Sequence, residues 1–361
     1  MQERARVVAN PTTQLAGRFS VAPMMDWTDR HCRVFHRLLS STAVLYTEMV
    51  TTGALLHGDV DRHLAHDAAE HPLVLQLGGS DPDELAACAR LAQQYGYAAV
   101  NLNCGCPSER VQRGAFGACL METPERVARC VDAMRAAVTL PVTVKHRIGL
   151  GRDERYEFVR DFVGVVSEAG CTQFVVHARN AWLEGLSPKQ NREVPPLRYE
   201  LVHRLKRDFP ALQFVLNGGL REHQQARELA LGLDGVMFGR EAYHNPWILS
   251  AVDSFWGEET HSVPAKPAPH STPVEAPSVP QSIRLAASAG SSRRAVAQAM
   301  ADYAVGFRHL PAHAILRHLL GLYHGQPRAR LWRQQLSGAQ AARIGAAPEL
   351  IQRALDLVDP G

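Results

Sequence analysis

Residues 100–121 read VNLNCGCPSERVQRGAFGACLM and put Cys104, Cys106 and Cys119 with Asn101 and Asn103 in one glycine-punctuated stretch. A cysteine followed by proline can be a metal ligand, a redox thiol, a buried filler or a catalytic acid. No CxxC pair occurs, and Cys104-Gly-Cys106 is too tight for an ordinary zinc knuckle. A disulfide between those two would be strained by so short a loop. Metal ligation is therefore not expected here, and a proton donor or a nucleophile remains open. Other residues able to do chemistry recur just after short apolar runs: Pro23-Met24-Met25, Glu48, Gln76, Lys145, His177, Asn217-Gly218-Gly219 and Gly239-Arg240.

The elements that must position these groups follow from those runs. They are FSVAPM (19–24), AVLYTEM (43–49), HPLVLQL (71–77), AAVNLN (98–103), PVTVKHR (141–147), TQFVVHA (172–178), QFVLNGG (213–219) and DGVMFGR (234–240). Runs rich in β-branched residues without alternation suit strands buried on both faces of a parallel sheet. Helical patterns lie between them. SDPDELAACARLAQQYG starts from Ser80 and an acidic first turn and ends at Gly96, and TPERVARCVDAMRAAV starts from Thr123 with Pro124 at the first helical position.

Eight such repeats in about 240 residues predict a (β/α)8 TIM barrel. A doubly wound open sheet is the alternative, but no GxGxxG follows residues 19–24. In a barrel the active site lies at the carboxyl ends of the strands, where every polar group named above falls. Cys106 then sits in the loop after strand four, Cys104 nearer the packed strand end, and Cys119 near the next helix.

The glycines and Arg240 after strands seven and eight suit a phosphate, because glycine lets the backbone approach an anion and arginine stays charged. A flavin mononucleotide (FMN) meets the remaining demands. Lys145 supplies positive charge beside a reduced ring, Gln76 can bond its amide-like edge, and Met24 and Met25 give a soft apolar floor. A sugar phosphate would use the same corner.

Composition sets the outer limits. Of 361 residues, 46% are hydrophobic and 21% charged, as in a soluble enzyme. No run reaches the roughly 18 apolar residues of a membrane span, and the N-terminus lacks a signal-like apolar segment. Seven cysteines without framework spacing fit a reducing cytoplasm. Residues 1–258 are expected to form the catalytic barrel. Residues 259–292, with six prolines from Pro264 to Pro280, are expected to form a flexible linker, and residues 293–361 a basic helical domain. Between residues 293 and 335 lie Arg293, Arg294, Arg308, Arg317, Arg328, Arg330 and Arg333 against the single acid Asp302, with Tyr323 and Trp332 interleaved. That pattern is the footprint of a phosphate-backbone partner.

APMMDWTDRHCR, NLNCGCPSERVQRGAFGACLM, VTVKHRIG, VVHARNAWLEGLSPKQNREVPPL, NGGL and GVMFGREAYHNPW resemble the tRNA-dihydrouridine synthases. The GLSPKQNREVPPL segment and the RHLLGLYHGQPRARLWR tail resemble the A-type subgroup, and only the proline-rich insertion lies outside the likeness. The resemblance implies an FMN-dependent, NADPH-driven oxidoreductase that reduces the C5–C6 bond of uridine to 5,6-dihydrouridine in the tRNA D-loop, at positions 20 and 20a. It implies hydride transfer from FMN to C6 and a proton from Cys106 to C5. An ordinary thiol titrates near 8.5 and carries its proton at neutral pH. The FMN contacts it implies are Pro23, Met24, Met25, Gln76, Lys145, His177, Asn217, Gly218, Gly219, Gly239 and Arg240. The tRNA contacts it implies are Asn103, Arg179, Gln190, Glu193, Arg317 and His318. No metal, membrane or obligate protein partner is expected. The rivals to this enzyme are a sugar-phosphate isomerase or synthase on the same barrel and a non-enzymatic RNA-binding protein.

Overall fold

The structure is a computed structural model and describes residues 18–153, 155–257 and 292–359. The expected linker lies outside the described residues except for Ser292. The eight apolar runs form strands β1 (Phe19–Val21), β2 (Leu45–Thr51), β3 (Leu73–Gly78), β4 (Ala99–Cys104), β5 (Val142–Arg147), β6 (Gln173–His177), β7 (Gln213–Asn217) and β8 (Gly235–Phe238). All pair in parallel, in the order β1-β8-β7-β6-β5-β4-β3-β2. The ring closes between β1 and the approach to β2, where the Val21 amide donates to the Val44 carbonyl at 2.9 Å and the Val44 amide to that of Phe19 at 3.0 Å. This is a (β/α)8 TIM barrel with further helices after it.

Two cores follow from strand alternation, because successive side chains point to opposite faces. One set faces the helices and makes the larger core. The other fills the barrel with Val44, Tyr46, Val74, Ala99, Val175, Val215 and Met237. Two residues beyond Val74, Ala99 and Val215 the interior turns polar with Gln76, Asn101 and Asn217, joined by Thr143 on β5, all buried. Gln76, Asn101 and Thr143 are register partners on β3, β4 and β5. Another two residues along β4 and β5 stand Asn103 and Lys145, again partners, and Arg147 beyond Lys145 is in register with His177, itself the register partner of Asn217. A strand period of two thus raises a wall of hydrogen-bonding groups to the mouth.

Helix boundaries shifted by a residue at the first predicted start. Asp81, not Ser80, caps the helix Pro82–Gln94, because its carboxylate accepts from the Asp83 and Glu84 amides. Thr123 stands at the cap position of Pro124–Ala137 without a side-chain cap bond, and Pro124 supplies the fixed first-turn φ.

The C-terminal helices span Arg293–Val305, His313–Leu319, Ala329–Ser337 and Ala347–Val358. The first two pack on the helix Arg30–Leu39 that follows β1. The Tyr303 hydroxyl lies 2.9 Å from His31 Nδ1 across this junction. Trp27 stacks on Tyr243 with centroids 4.4 Å apart and planes at 11°. Helix Arg30–Leu39 thus meets the C-terminal helices, and the turn before it meets the helix Arg240–His244 that follows β8. Arg33, buried there, holds the Glu70 carboxylate at 2.6 Å and the Thr28 carbonyl at 2.8 Å.

Candidate active site

Cys106 owes its place to a run of amides that begins inside the barrel. Asn101 Nδ2 donates to Thr143 Oγ1 at 2.9 Å, and Gln76 Nε2 donates to Asn101 Oδ1 at 2.7 Å. Asn103 Nδ2 donates to Gln76 Oε1 at 2.8 Å. Asn103 Oδ1 then accepts from the Gly105 and Cys106 amides, each at 3.0 Å. Each amide is donor to one neighbour and acceptor from the next, so a single rotamer set satisfies all of them. The far side of the loop is fastened too: the Ala118 amide donates to the Cys106 carbonyl at 2.9 Å. Gly117 has φ +78°, and a Cβ there would come within 2.6 Å of that carbonyl, so this turn needs glycine.

The three cysteines separate. Cys104 is fully buried on the helix-facing side of β4. Cys119 Sγ lies 3.1 Å from the Phe116 carbonyl in a 3₁₀ turn. Cys106 is half-buried at the mouth, with Sγ 3.6 Å from Ser108 Oγ. All seven cysteines are free thiols.

On the strands beside the cysteine loop the charge is positive. Lys145 Nζ donates to Asn217 Oδ1 at 3.1 Å, and Asn217 Nδ2 donates to the Met237 carbonyl at 2.8 Å. Burial, and then repulsion from Arg147, pushes the Lys145 ammonium down to about 7. Burial, then Arg147, Lys145, Arg179 and Arg192, holds His177 well below the ordinary imidazole range, so its ring is neutral near pH 7. Glu193 is the carboxylate set against these cations, and Arg240 Nη1 takes it at 2.5 Å. Gly218 and Gly219 have φ of +116° and +69°, and a Cβ on Gly218 would meet the His177 ring at 2.8 Å. The glycine corner, Arg240, Lys145 and His177 thus share one rim. Pro23, Met24 and Gly239 adjoin it from β1 and β8, and Met25 is 55% exposed above them.

Arg147 is a site residue that the sequence left unmarked. Its buried guanidinium donates from Nε to the Gly105 carbonyl at 3.1 Å, and from Nη1 to the Asn180 carbonyl at 3.1 Å and the Asn191 carbonyl at 2.9 Å. One side chain ties the cysteine loop to the loop after β6. Its signal was present, since it stands two residues beyond Lys145 and so on the same wall. Thr143 was legible by the same rule.

The residues expected to face RNA divide. Arg179 donates to the Glu193 carbonyl at 3.3 Å and to the Pro195 carbonyl, bracing the loop after β6. Gln190 is exposed and exchanges hydrogen bonds with Ser187. His318 does not lie on a surface. It is buried against Asp29, whose carboxylate also takes Arg317 Nη2 at 2.5 Å. Burial opposes the Asp29 charge, but His318 and the Cys32 amide outweigh it and hold the carboxyl well below its usual range. A desolvated carboxylate needs these partners, so it draws both side chains inward; Arg317 keeps its side chain 39% exposed. Part of the tail's basic set is likewise engaged within the chain. Arg293 covers the Trp247 ring at 4.2 Å and Arg294 bonds the Asp359 carbonyl, while Arg308, paired with Glu349, stays exposed with Arg328, Arg330 and Arg333.

The dihydrouridine synthase (Dus) family model matches residues 20–356, nearly the whole chain. The chain belongs to the dihydrouridine synthase family. Curated relatives named tRNA-dihydrouridine(20/20a) synthase share about half their residues with it. The protein of Pseudomonas aeruginosa is 55% identical over 329 residues, covering 91% of each chain. That of Escherichia coli K12 is 50% identical over 350 residues, covering 95% of this chain and 92% of its own. That of Shewanella oneidensis is 49% identical over 351 residues, with 97% and 96% covered. A solved 2-naphthoyl-CoA reductase complex aligns with TM-score 0.50 at 11% identity, over 69% of this chain and 52% of its own, which shows the shared barrel fold. Among the described residues of this dihydrouridine synthase, no helix is long and apolar enough to cross a membrane. No group of three or more His, Cys, Asp or Glu among them could hold a metal ion.

Proposed function

We propose that this dihydrouridine synthase reduces the C5–C6 bond of uridine in tRNA, at positions 20 and 20a of the D-loop, with FMN as its cofactor and NADPH as reductant. Membership of the family and the names of the relatives support the reaction and the RNA class. The observation that carries the assignment of roles is the placement of Cys106 and Lys145 on one mouth, with Asn103 fastening the first and Asn217 the second.

The residues present fit FMN. The rim gathers Lys145, Arg147, Arg179, Arg192 and Arg240 near the Glu193 carboxylate, a concentration of positive charge that suits a phosphate and an electron-rich ring. Gly218, Gly219, Gly239 and Arg240 would take the phosphate end. Lys145, His177 and Gln76 would face the ring, and Pro23, Met24 and Met25 would lie against it. Gln76 keeps one N–H and one lone pair beyond the two bonds described above, enough for an edge contact. When bound, FMN reduced by NADPH supplies the hydride for uracil C6.

The chain itself supplies the rest. Cys106 holds a proton on Sγ and gives it to C5, so that the hydride and the proton together complete the reduction. Its half-exposed position lets solvent restore the proton. Asn103 positions the Cys106 backbone and presents its amide to the base. Arg179, Gln190, Glu193 and Arg317 lie on the RNA-facing side, and the exposed arginines of the helical domain offset the few kcal/mol needed to extrude a nucleotide. The seven free thiols suit a reducing cytoplasm.

The test is direct. The purified protein should be yellow, release FMN on denaturation and form dihydrouridine in tRNA with NADPH. A colourless protein that takes up no added FMN, or tRNA left unreduced by the loaded enzyme, would overturn the assignment.

A further inference from the structure

Beside the mouth, the loops after β5 and β6 enclose a cleft of about 310 Å³ lined by Gly151, Arg152, Asn180, Trp182, Pro196 and Arg198. None of these residues has a role in the mechanism above. The volume lies at the small end of ligand sites.

The cleft is built, not incidental to mobile loops. The Gly151 amide donates to the Ala181 carbonyl at 2.8 Å and the Ala181 amide to the Gly149 carbonyl at 2.9 Å, zipping the two loops together. Asn180 Nδ2 adds bonds to the Gly151 and Asp153 carbonyls at 3.2 and 2.7 Å. Fully buried Asn191 clamps Trp182 on both sides. Its Oδ1 accepts from the Trp182 amide at 2.7 Å, and its Nδ2 donates to the Trp182 carbonyl at 2.9 Å. The Trp182 indole is therefore presented by a pinned backbone, with the Arg152 guanidinium 4.9 Å from its ring. Arg198 brings a second guanidinium, itself near Glu200 at 3.3 Å.

A flat indole with two guanidiniums is the chemistry that binds a nucleotide, the base by stacking and the phosphate by charge. The cleft also adjoins the reaction. Arg147 bonds both the Gly105 carbonyl, next to Cys106, and the Asn180 carbonyl at the cleft wall. Gln112, in the cysteine loop, donates to the Leu183 carbonyl at 2.9 Å.

We infer that this cleft is a nucleotide subsite for the tRNA substrate: the nucleotide adjacent to the target uridine stacks its base on Trp182 and sets its phosphate against Arg152 and Arg198. Extruding one nucleotide strips its neighbour of a stacking partner, and an aromatic face beside the mouth replaces that partner. Arg152 and Pro196 are exposed on the rim, open to the side from which RNA must approach. This subsite rests on tRNA being the substrate.

The test uses the FMN-loaded enzyme and measures tRNA affinity across a salt series, separately from NADPH-driven flavin reduction. Trp182→Ala should weaken tRNA binding roughly tenfold, within the range for losing one base–aromatic stack, and Trp182→Phe should restore most of it. Arg152→Gln, on the exposed rim, should lower the slope of log affinity against log salt by about one. Flavin reduction should keep its rate and its NADPH dependence in all three. Unchanged tRNA affinity with a raised KM for NADPH would overturn the inference and place the dinucleotide in the cleft; no change in either would overturn it as well. Because binding is read without turnover, wild-type enzyme that binds tRNA but leaves it unreduced would count against the reaction and not against the subsite.

Discussion

Asn103 Oδ1 accepts from the Cys106 amide at 3.0 Å while Asn103 Nδ2 donates to Gln76 at 2.8 Å. The side chain next to the acid is thus the last link of a hydrogen-bonded row anchored in the barrel interior. Removing it should displace the thiol without emptying the cofactor site. Asn103→Ala is expected to retain FMN and NADPH-driven flavin reduction but to lose about 10²-fold in tRNA reduction, the order of effect of misplacing a reacting group. Single-turnover measurement of dihydrouridine from pre-reduced enzyme checks this.

Lys145 gives a pH signature. Its value in the fold, about 7, lies below its ordinary 10.5, so between these limits the folded apoprotein holds fewer protons than the unfolded chain. Stability of the apoprotein should therefore rise with pH across that window, which thermal unfolding at a series of pH values reads. An anion at the mouth favours the charged ammonium, so FMN binding at pH 8 should take up a proton. Calorimetric titration in buffers of different ionisation heat counts it. In Lys145→Met both effects should vanish and FMN should bind more weakly.

Asp29 makes the opposite case. Its carboxyl is held below the ordinary value, so its contribution to stability is present above about pH 4 and is lost as pH falls through the lower folded value. Asp29→Asn keeps the cap on helix Arg30–Leu39 but removes the charge facing Arg317 and His318. The expected cost at pH 7 is about 1–3 kcal/mol, as for a hydrogen bond to a charged group, and the cost should shrink in acid. Denaturant unfolding at pH 7 and pH 3 measures it.

Buried Glu70 braces the same segment from below. Its Oε2 binds Arg33 at 2.6 Å and its Oε1 the Asp67 amide at 2.7 Å. Glu70→Ala leaves Arg33 buried without its counter-charge and should cost about 3–5 kcal/mol, read as a fall in Tm.

The strands and their order were legible because parallel barrel strands are buried on both faces, which writes unbroken apolar runs into the sequence. The polar residues closing each run located the mouth. Arg147 was not legible as a tie, because a guanidinium that bonds three carbonyls from two distant loops has no local pattern. His318 enters as an RNA contact through the resemblance alone, and nothing in its local sequence marks it as buried. Only the fold brings Asp29, almost three hundred residues earlier, against it. The seven arginines of the tail looked like one basic face for a related reason: stems and guanidiniums that cover Trp247 or cap chain ends cannot be told from exposed ones by spacing.

The central claim is that Cys106 supplies the proton to C5. Cys106→Ala loaded with FMN should be reduced by NADPH at the rate of the native enzyme, and single-turnover formation of dihydrouridine in tRNA should fall by about 10²–10⁴-fold, the range for losing a general acid. Dihydrouridine formed at the native rate by the alanine variant would contradict the claim.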